Sequence, residues 1–233
     1  MGLNPFASVS DYPSMLSKIA LYTFGVTLLT ALWLYYQIPA LRPWMLPIEV
    51  TIPEFPVKIP LGVLLAAFVA AFLSRTFKLH DRISDMLGIR KRFDLEVILF
   101  PSASASGAAL TLIQQEAVRR DRVRLMSDVF YKYATSSPEK AVIEIHAITM
   151  ALDQWSWYWI VVEADAVALL AAAILYRNGY GQQSSVFVVG VLTSVWALRG
   201  IRGLCSRYAT DEIRQILQDP QRQQAVQNTF RAL

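Results

Sequence analysis

The chain has 233 residues, 55% of them hydrophobic and only 17% charged, and its formal net charge is +4. A chain this apolar is not an ordinary soluble domain of the same length, and insertion into a membrane explains the composition. The single cysteine, Cys205, excludes a small secreted domain held together by internal disulfides.

Residues 1–14 predict a short arm, and residues 15–38 predict the first transmembrane helix. A run without charged residues or histidine covers residues 19–41, which is long enough for a bilayer crossing. The run exceeds the apolar core of a typical signal peptide, and no small-residue cleavage pattern follows it. We therefore expect this helix to be retained.

Residues 39–58 predict an extended external loop, because the prolines that recur between residues 39 and 60 leave little room for a helix. Trp44 is expected at the membrane interface. A strand pair through Ile48, Val50 and Ile52 is one option for this loop.

Residues 59–77 predict a second transmembrane helix, since Arg75 and Lys78 can extend their charges to the headgroups at its end. Small residues recur along it at four-residue spacing, namely Gly62, Ala66, Ala70 and Ser74. Small side chains let helix backbones approach closely in lipid. The pattern therefore predicts helix packing and favours a homo-oligomer.

Residues 78–154 predict a small, mainly helical cytoplasmic insert between the second and third spans. Apolar spacing predicts that the second helix continues to about Arg92, with Gly88 as a bend or cap. The apolar run 95–100 is either a short strand or a buried turn. Residues 108–134 predict a long helix, and residues 136–139 predict the start of the next one.

The insert is locally basic. Its candidate binding residues are Arg90, Lys91, Arg92, Arg119, Arg120 and Arg124, with Arg122 beside them. They predict contact with anionic membrane lipids. The alternative is an anionic ligand such as phosphate, held by these side chains and by the main-chain amides of residues 102–107 at the start of the long helix.

Residues 155–177 and 184–204 predict the third and fourth transmembrane helices, with an external turn at 178–183 and a cytoplasmic tail at 205–233. The third span carries Glu163 and Asp165 near its middle. An ionisable side chain at that depth costs roughly 2.5 to 3.5 kcal/mol and usually marks a functional site. Arg199 lies at a similar depth in the fourth span. We expect it to pair with Glu163, with neutral Glu163 as the alternative.

Asp165 lies about 200° from Glu163 around the helix, on a face with Ala168 and Ala172. One acid is therefore expected to face a neighbouring helix of the chain, and the other a subunit interface or central cavity. Two interpretations stay open for the acids. They are either satisfied buried polar groups or part of an ion path, proton site or gate.

The distribution of the basic residues between the two sides of the membrane sets the expected orientation. Nineteen lie on the side of the termini and the insert, and three lie on the opposite side. By the positive-inside rule both termini and the insert are cytoplasmic, which requires an even number of crossings. The sequence thus predicts an all-α, four-helix, multi-pass protein of the bacterial inner membrane.

Two neighbouring pairs have the residue types of metal ligands, His80 with Asp81 and Glu144 with His146, but their spacing fits no standard metal site. The sequence also lacks a nucleophile elbow, a zinc-protease helix motif and a nucleotide fingerprint. We therefore expect no catalytic residue, no metal and no cofactor.

Four membrane helices, a small cytoplasmic insert and no catalytic set resemble the compact membrane effectors of bacterial antiviral defence systems. This resemblance in architecture implies an oligomer whose cytoplasmic part senses a signal or partner and whose membrane part perturbs permeability. The leading hypothesis is a non-enzymatic, oligomeric, ion-conducting or membrane-perturbing effector with Glu163 or Asp165 near the path. The alternative is an anchor subunit whose insert and tail dock a soluble cytoplasmic protein.

Overall fold

The computed structural model describes residues 9–46, 48–51, 58–135, 137 and 142–233. The described residues are mainly helical and divide into two compact units. One unit contains residues 13–80 and 156–201 and is called the membrane unit below. The other contains residues 9–12, 81–155 and 202–233 and is called the helical unit.

Three helices are long and apolar enough to cross a bilayer: α1 (Tyr12–Gln37), α8 (Ile145–Arg177) and α9 (Gly181–Leu217). The helices α2 (Leu61–Thr76) and α3 (Leu79–Leu87) pass the same test only as a pair, which is bent by 64°. By itself α2 has 16 residues, or about 24 Å, which is less than the roughly 30 Å of a hydrocarbon core. The chain is thus a membrane-embedded helical protein, and its described residues contain three candidate spans, or four if the bent pair is one.

The predicted continuation of the second helix to about Arg92 is helical but interrupted at two points. Lys78 has a φ of +46°, a left-handed conformation that separates α2 from α3. α3 ends at Leu87, and Gly88 then takes a φ of +64° before α4 (Ile89–Phe93) begins. The prediction that the chain bends at Gly88 is confirmed.

We predict that Gly88→Ala destabilises the helical unit by about 1 to 2 kcal/mol, because an L side chain disfavours the left-handed conformation. A Cβ at Gly88 meets no atom within 4 Å, so the cost comes from the backbone alone. Gly203→Ala is the matched control, since Gly203 is helical and equally open, and alanine there should add up to about 1 kcal/mol. Urea-dependent alkylation of the buried Cys205 measures both changes, and equal effects would contradict this account.

The apolar run 95–100 is helical, so both the strand and the buried turn are wrong. α4, a π-helical turn over Asp94–Leu99 and α5 (Phe100–Ala105) follow one another without a break. Pro101 has no N–H to donate and its ring crowds the preceding turn, where the helix widens to π geometry.

The long helix predicted for residues 108–134 starts later and is interrupted. Thr111 caps α6 (Leu112–Arg120) and exchanges hydrogen bonds with Gln114 in a capping box. Asp121 separates α6 from α7 (Arg122–Leu125), and a π-helical turn over Met126–Tyr131 follows. Residues 136, 138 and 139 of the predicted helix start lie outside the described residues, and α8 begins at Ile145.

The C-terminal tail is folded. The weak helix predicted over 211–218 is the end of α9, which runs unbroken to Leu217. Asp219 then caps α10 (Pro220–Arg231), and the hydrogen bonds from the backbone N–H groups of Arg222 and Gln221 lower the pKa of Asp219. Val226 and Phe230 of α10 are fully buried, so this helix belongs to the core of the helical unit.

A short antiparallel ladder lies in the loop between α1 and α2. It pairs β1 (Glu49–Thr51) with β2 (Lys58–Pro60), with Val50 opposite Ile59. The expected strand pair is thus confirmed at Val50, whereas Ile52 lies outside the described residues. A 3₁₀ turn, Pro39–Trp44, connects α1 to this ladder, and the side chain of Trp44 is exposed as expected for an interfacial residue.

Candidate intramembrane site

Glu163 of α8 is 2% exposed and lies inside the membrane unit. Its Oε2 atom is 2.5 Å from the hydroxyl oxygen of Thr23 in α1. Ser74 of α2 also lies beside the carboxyl group, but Ser74 Oγ and Glu163 Oε1 are buried without a hydrogen bond of good geometry. Three helices therefore meet at this acid, and one of its oxygens keeps unused hydrogen-bonding capacity.

The hydrogen-bond geometry at Thr23 accommodates a proton on Glu163. Thr23 Oγ1 lies 3.0 Å from the carbonyl oxygen of Ile19 as well as 2.5 Å from Glu163 Oε2. A hydroxyl has one hydrogen to donate. Both contacts are hydrogen bonds at once only when Glu163 donates to Thr23 and Thr23 donates to Ile19, and an ionised Glu163 instead takes the hydroxyl hydrogen.

Further polar side chains lie towards the N-terminal end of α8. Trp159, one turn before Glu163, has its ring 5.8 Å from that of the buried His80. Ser156, two turns before Glu163, is fully buried. The ammonium group of the buried Lys18 lies 4.4 Å from the ring centroid of Trp157. Spacings of three and four residues place positions 156, 159 and 163 on one face of α8.

In the other direction, the described side chains of α1 and α2 become apolar after one more turn. Thr27, four residues after Thr23 on α1, has a buried hydroxyl without a hydrogen bond. Beyond it the packing is apolar, with Ala31, Ile59 and Val63 in one buried cluster. A second apolar cluster contains Leu34, Ile38, Ala171 and Leu175. The membrane unit thus has a polar half around Glu163 and Thr27 and a mainly apolar half, in which the buried hydroxyl of Ser184 donates to the carbonyl oxygen of Ala172.

The predicted pair between Glu163 and Arg199 is wrong. Glu163 bonds to Thr23, and the exposed Arg199 lies with its guanidinium 5.6 Å from the ring centroid of Trp196. Long basic side chains near a helix end can extend along the helix towards the headgroups. The hydroxyl of Thr23, and not the guanidinium of Arg199, is therefore the hydrogen-bonding partner of Glu163.

Asp165 lies on a different face of α8 from Glu163, as the helical geometry predicted, but it too contacts a helix of the same chain. Its Oδ2 lies 2.5 Å from Ser194 Oγ of α9, and Ser194 Oγ is also 2.7 Å from the carbonyl oxygen of Val191. The contacts repeat the arrangement at Thr23, with a carboxyl oxygen next to a hydroxyl that also contacts its own helix. Asp165 is partly exposed, in contrast to Glu163.

The small residues of α2 do not form one continuous packed stripe in this chain. A Cβ on Gly62 would lie 2.5 Å from the carbonyl oxygen of Met45, so this glycine packs against the loop after α1. Ser74 is buried, Ala70 is partly buried, and Ala66 is exposed. The close approach predicted at Gly62 is real, but it is to a loop backbone and not to a helix.

Most of the predicted basic binding residues pair with acids inside the helical unit. The pairs are Arg90 with Asp81, Arg119 with Glu116, Arg120 and Arg124 with Asp121, and Arg122 with Asp94. Lys91 and Arg92 are exposed on α4. Exposed ion pairs contribute little free energy, so lipid or anion binding at these residues stays a prediction.

The phosphate cradle predicted at residues 102–107 is wrong. Residues 102–105 lie in the last turns of α5, and Gly107 has a φ of +81° after the helix ends. The amides of Ser106, Gly107 and Ala108 donate to carbonyl oxygens of the same helix. A helix C-terminus presents carbonyl groups, which repel an anion. Among the described residues, no group of three or more histidine, cysteine or acidic side chains has the arrangement of a metal site.

Comparison with known proteins assigns the chain to a family. The YmfE protein family matches residues 11–231, which is nearly the whole chain. The chain belongs to the YmfE family. The protein YmfE of Escherichia coli (strain K12) is 25% identical to it over 201 residues, which cover 83% of this chain and 80% of the relative. No solved structure matches the chain significantly.

In this YmfE-family chain, sequence reasoning found both intramembrane acids but missed their hydroxyl partners. Thr23 and Thr27 lie in an uncharged run, where a hydroxyl usually bonds to its own helix and attracts no attention. Their four-residue spacing was the available signal. Ser74 was noticed for its size, whereas its hydroxyl is what lies beside Glu163.

Proposed function

We propose that this protein is a non-enzymatic, oligomeric membrane protein that passes protons through the membrane unit, with Glu163 as the proton-binding residue. The observation that carries the proposal is the buried carboxyl group of Glu163 between Thr23 and Ser74. Carboxyl groups at this depth are costly, and they recur where proteins move protons or ions across membranes.

The polar half of the membrane unit supports a path from one side only. Lys18, Ser156 and His80 precede Glu163 towards the end of α8 that the positive-inside rule places near the cytoplasm. Thr27, one turn before Ala31 on α1, has a buried hydroxyl. We infer that the cluster of Ala31, Ile59 and Val63 is the gate, since an apolar constriction excludes water and stops conduction.

The gate gives a direct test. Val63→Ser introduces a hydroxyl at a fully buried position, and we expect it to raise proton flux into liposomes that contain a pH-sensitive dye and the reconstituted protein. Val69→Ser is the matched control, because Val69 lies on the same helix and is 53% exposed. Flux that stays at the level of protein-free vesicles in wild type and Val63→Ser, with unchanged circular dichroism spectra and elution volumes in detergent, would overturn the proposal.

A second candidate function is the anchor subunit that docks a soluble cytoplasmic protein. The observation in its favour is a pair of exposed apolar side chains at the start of α6, where Leu112 is 80% and Ile113 81% exposed. The same reconstitution separates the two functions, because an anchor conducts nothing in either variant. A role as an effector in antiviral defence is a further proposal and would require that a cytoplasmic signal opens the gate.

A further inference from the structure

We propose that a second copy of this chain packs on the face of α8 and α9 that carries Asp165, Gly190 and Thr193. The inference deepens the oligomer of the proposed function and rests on it. It does not depend on which ion, if any, the protein passes.

Asp165 lies near the middle of α8's predicted span. It is one residue from the midpoint of the predicted span 155–177, or about 1.5 Å along the helix. Its side chain is only partly buried, and its carboxyl group contacts the hydroxyl of Ser194. A carboxyl group that faces hydrocarbon at this depth costs several kcal/mol, so such groups are normally covered by protein. The chain covers Glu163 by itself but leaves Asp165 incompletely covered.

α9 is the most exposed of the three long apolar helices. In its most apolar window 6% of the residues are buried, against 33% in α1 and 39% in α8. Gly190 lies on this open helix, and a Cβ there would meet no atom within 4 Å. Packing within the chain therefore does not require a glycine at this position. A glycine on a lipid-exposed helix allows the backbone of an outside helix to approach closely.

The residues at this depth favour a second copy of the chain as the occupant of this face. Copies inserted with the same orientation place identical residues at the same depth, and a symmetric contact brings these residues together. Ser194 lies at the level of Asp165, and the exposed Thr193 is its neighbour in sequence. Thr193 Oγ1 contacts the carbonyl oxygen of Gly190 at 2.7 Å and keeps an acceptor position. A second copy thus supplies hydroxyl groups at the depth where Asp165, already in contact with Ser194, is still partly exposed.

Cysteine crosslinking in native membranes tests the surface. In a Cys205→Ser background, Gly190→Cys places a thiol on the proposed face, and Val69→Cys places one at the middle of the exposed side of α2. Oxidation is expected to produce a dimer with Gly190→Cys and not with Val69→Cys. A dimer with Val69→Cys alone, or no crosslink in either variant although native mass spectrometry shows an oligomer, would overturn the interface while the oligomer stands. A monomeric mass would overturn both.

Variants of Asp165 provide a second readout. Asp165→Leu removes the polar group and is expected to shift the detergent-extracted protein towards the monomer, whereas Asp165→Asn keeps hydrogen bonding and should preserve the oligomer. If Asp165→Leu left the oligomeric mass unchanged, Asp165 would not lie at the interface and the inference would be wrong. Proton flux is measured separately, so a failure of conduction does not affect this result.

Discussion

Replacing Glu163 by glutamine is expected to reduce proton flux to the level of protein-free liposomes, in the otherwise wild-type chain and in the Val63→Ser variant. Glutamine has nearly the same shape and can still bond to Thr23, but it cannot take up and release a proton. The membrane unit should therefore stay folded while transfer through the polar half stops. Flux under an imposed pH gradient measures the change, and an unchanged circular dichroism spectrum with an unchanged elution volume in detergent checks that the variant is folded.

Asp165→Asn is the matched control for this experiment. Asp165 is two residues away, lies on a different face of α8 and bonds to Ser194 of α9. If the path runs by Glu163, this variant should conduct at the wild-type rate. Loss of flux in Asp165→Asn with normal flux in Glu163→Gln would show that protons pass by Asp165 and that the path proposed here by Glu163 is wrong. Glu163→Asp should restore part of the flux, because it keeps a carboxyl group near Thr23 and Ser74.

Phe230→Ala is expected to destabilise the helical unit by about 3 to 5 kcal/mol, the usual cost of removing a buried aromatic ring. Phe230 has 0% exposure, and its neighbour on the inner face of α10, Val226, is also buried. Two glutamines of α10 donate to the end of α5 as well, Gln227 to Gly107 O at 3.1 Å and Gln223 to Ala105 O at 3.5 Å. The helix is thus attached by packing and by hydrogen bonds.

Cys205 reports this loss, since it is buried and belongs to the same unit. Its alkylation in urea should shift to lower urea concentration in Phe230→Ala and stay unchanged in Asn228→Ala, an exposed position on the same helix. Equal behaviour of the two variants would mean that α10 does not stabilise the unit. A consequence for the anchor hypothesis is that deleting residues 211–233 removes part of a core, so loss of partner capture in that deletion would not identify a docking surface.

The helices were predictable where one physical requirement dominates. An apolar run of about 20 residues has to satisfy its backbone internally in lipid, so α1, α8 and α9 are visible in the sequence. The bend at Gly88 followed from the one residue that adopts a left-handed conformation without cost. Lys78 adopts a similar conformation, which the sequence did not indicate because lysine rarely takes a positive φ.

The helical unit was less predictable, because tertiary packing determines its short helices more than the intrinsic helix preference of their residues does. The run 95–100 is mainly apolar and was open to interpretation as a short strand or a buried turn. In the structure it is helical and lies between α4 and α5. The tail has a polar, glutamine-rich sequence with two apolar residues that matter, Val226 and Phe230. Two such residues are too few to indicate a core helix until the rest of the core is known.

The sequence by itself determined that the chain is embedded in a membrane and that Glu163 and Asp165 lie on different faces of one span, since composition and the 3.6-residue repeat are local properties. Only the tertiary structure decided the partners of these acids. A long basic side chain such as Arg199 can satisfy its charge at the membrane surface, whereas a buried carboxyl group takes whichever hydroxyl the neighbouring helices place within reach. Thr23 is 140 positions from Glu163, and no local pattern links them.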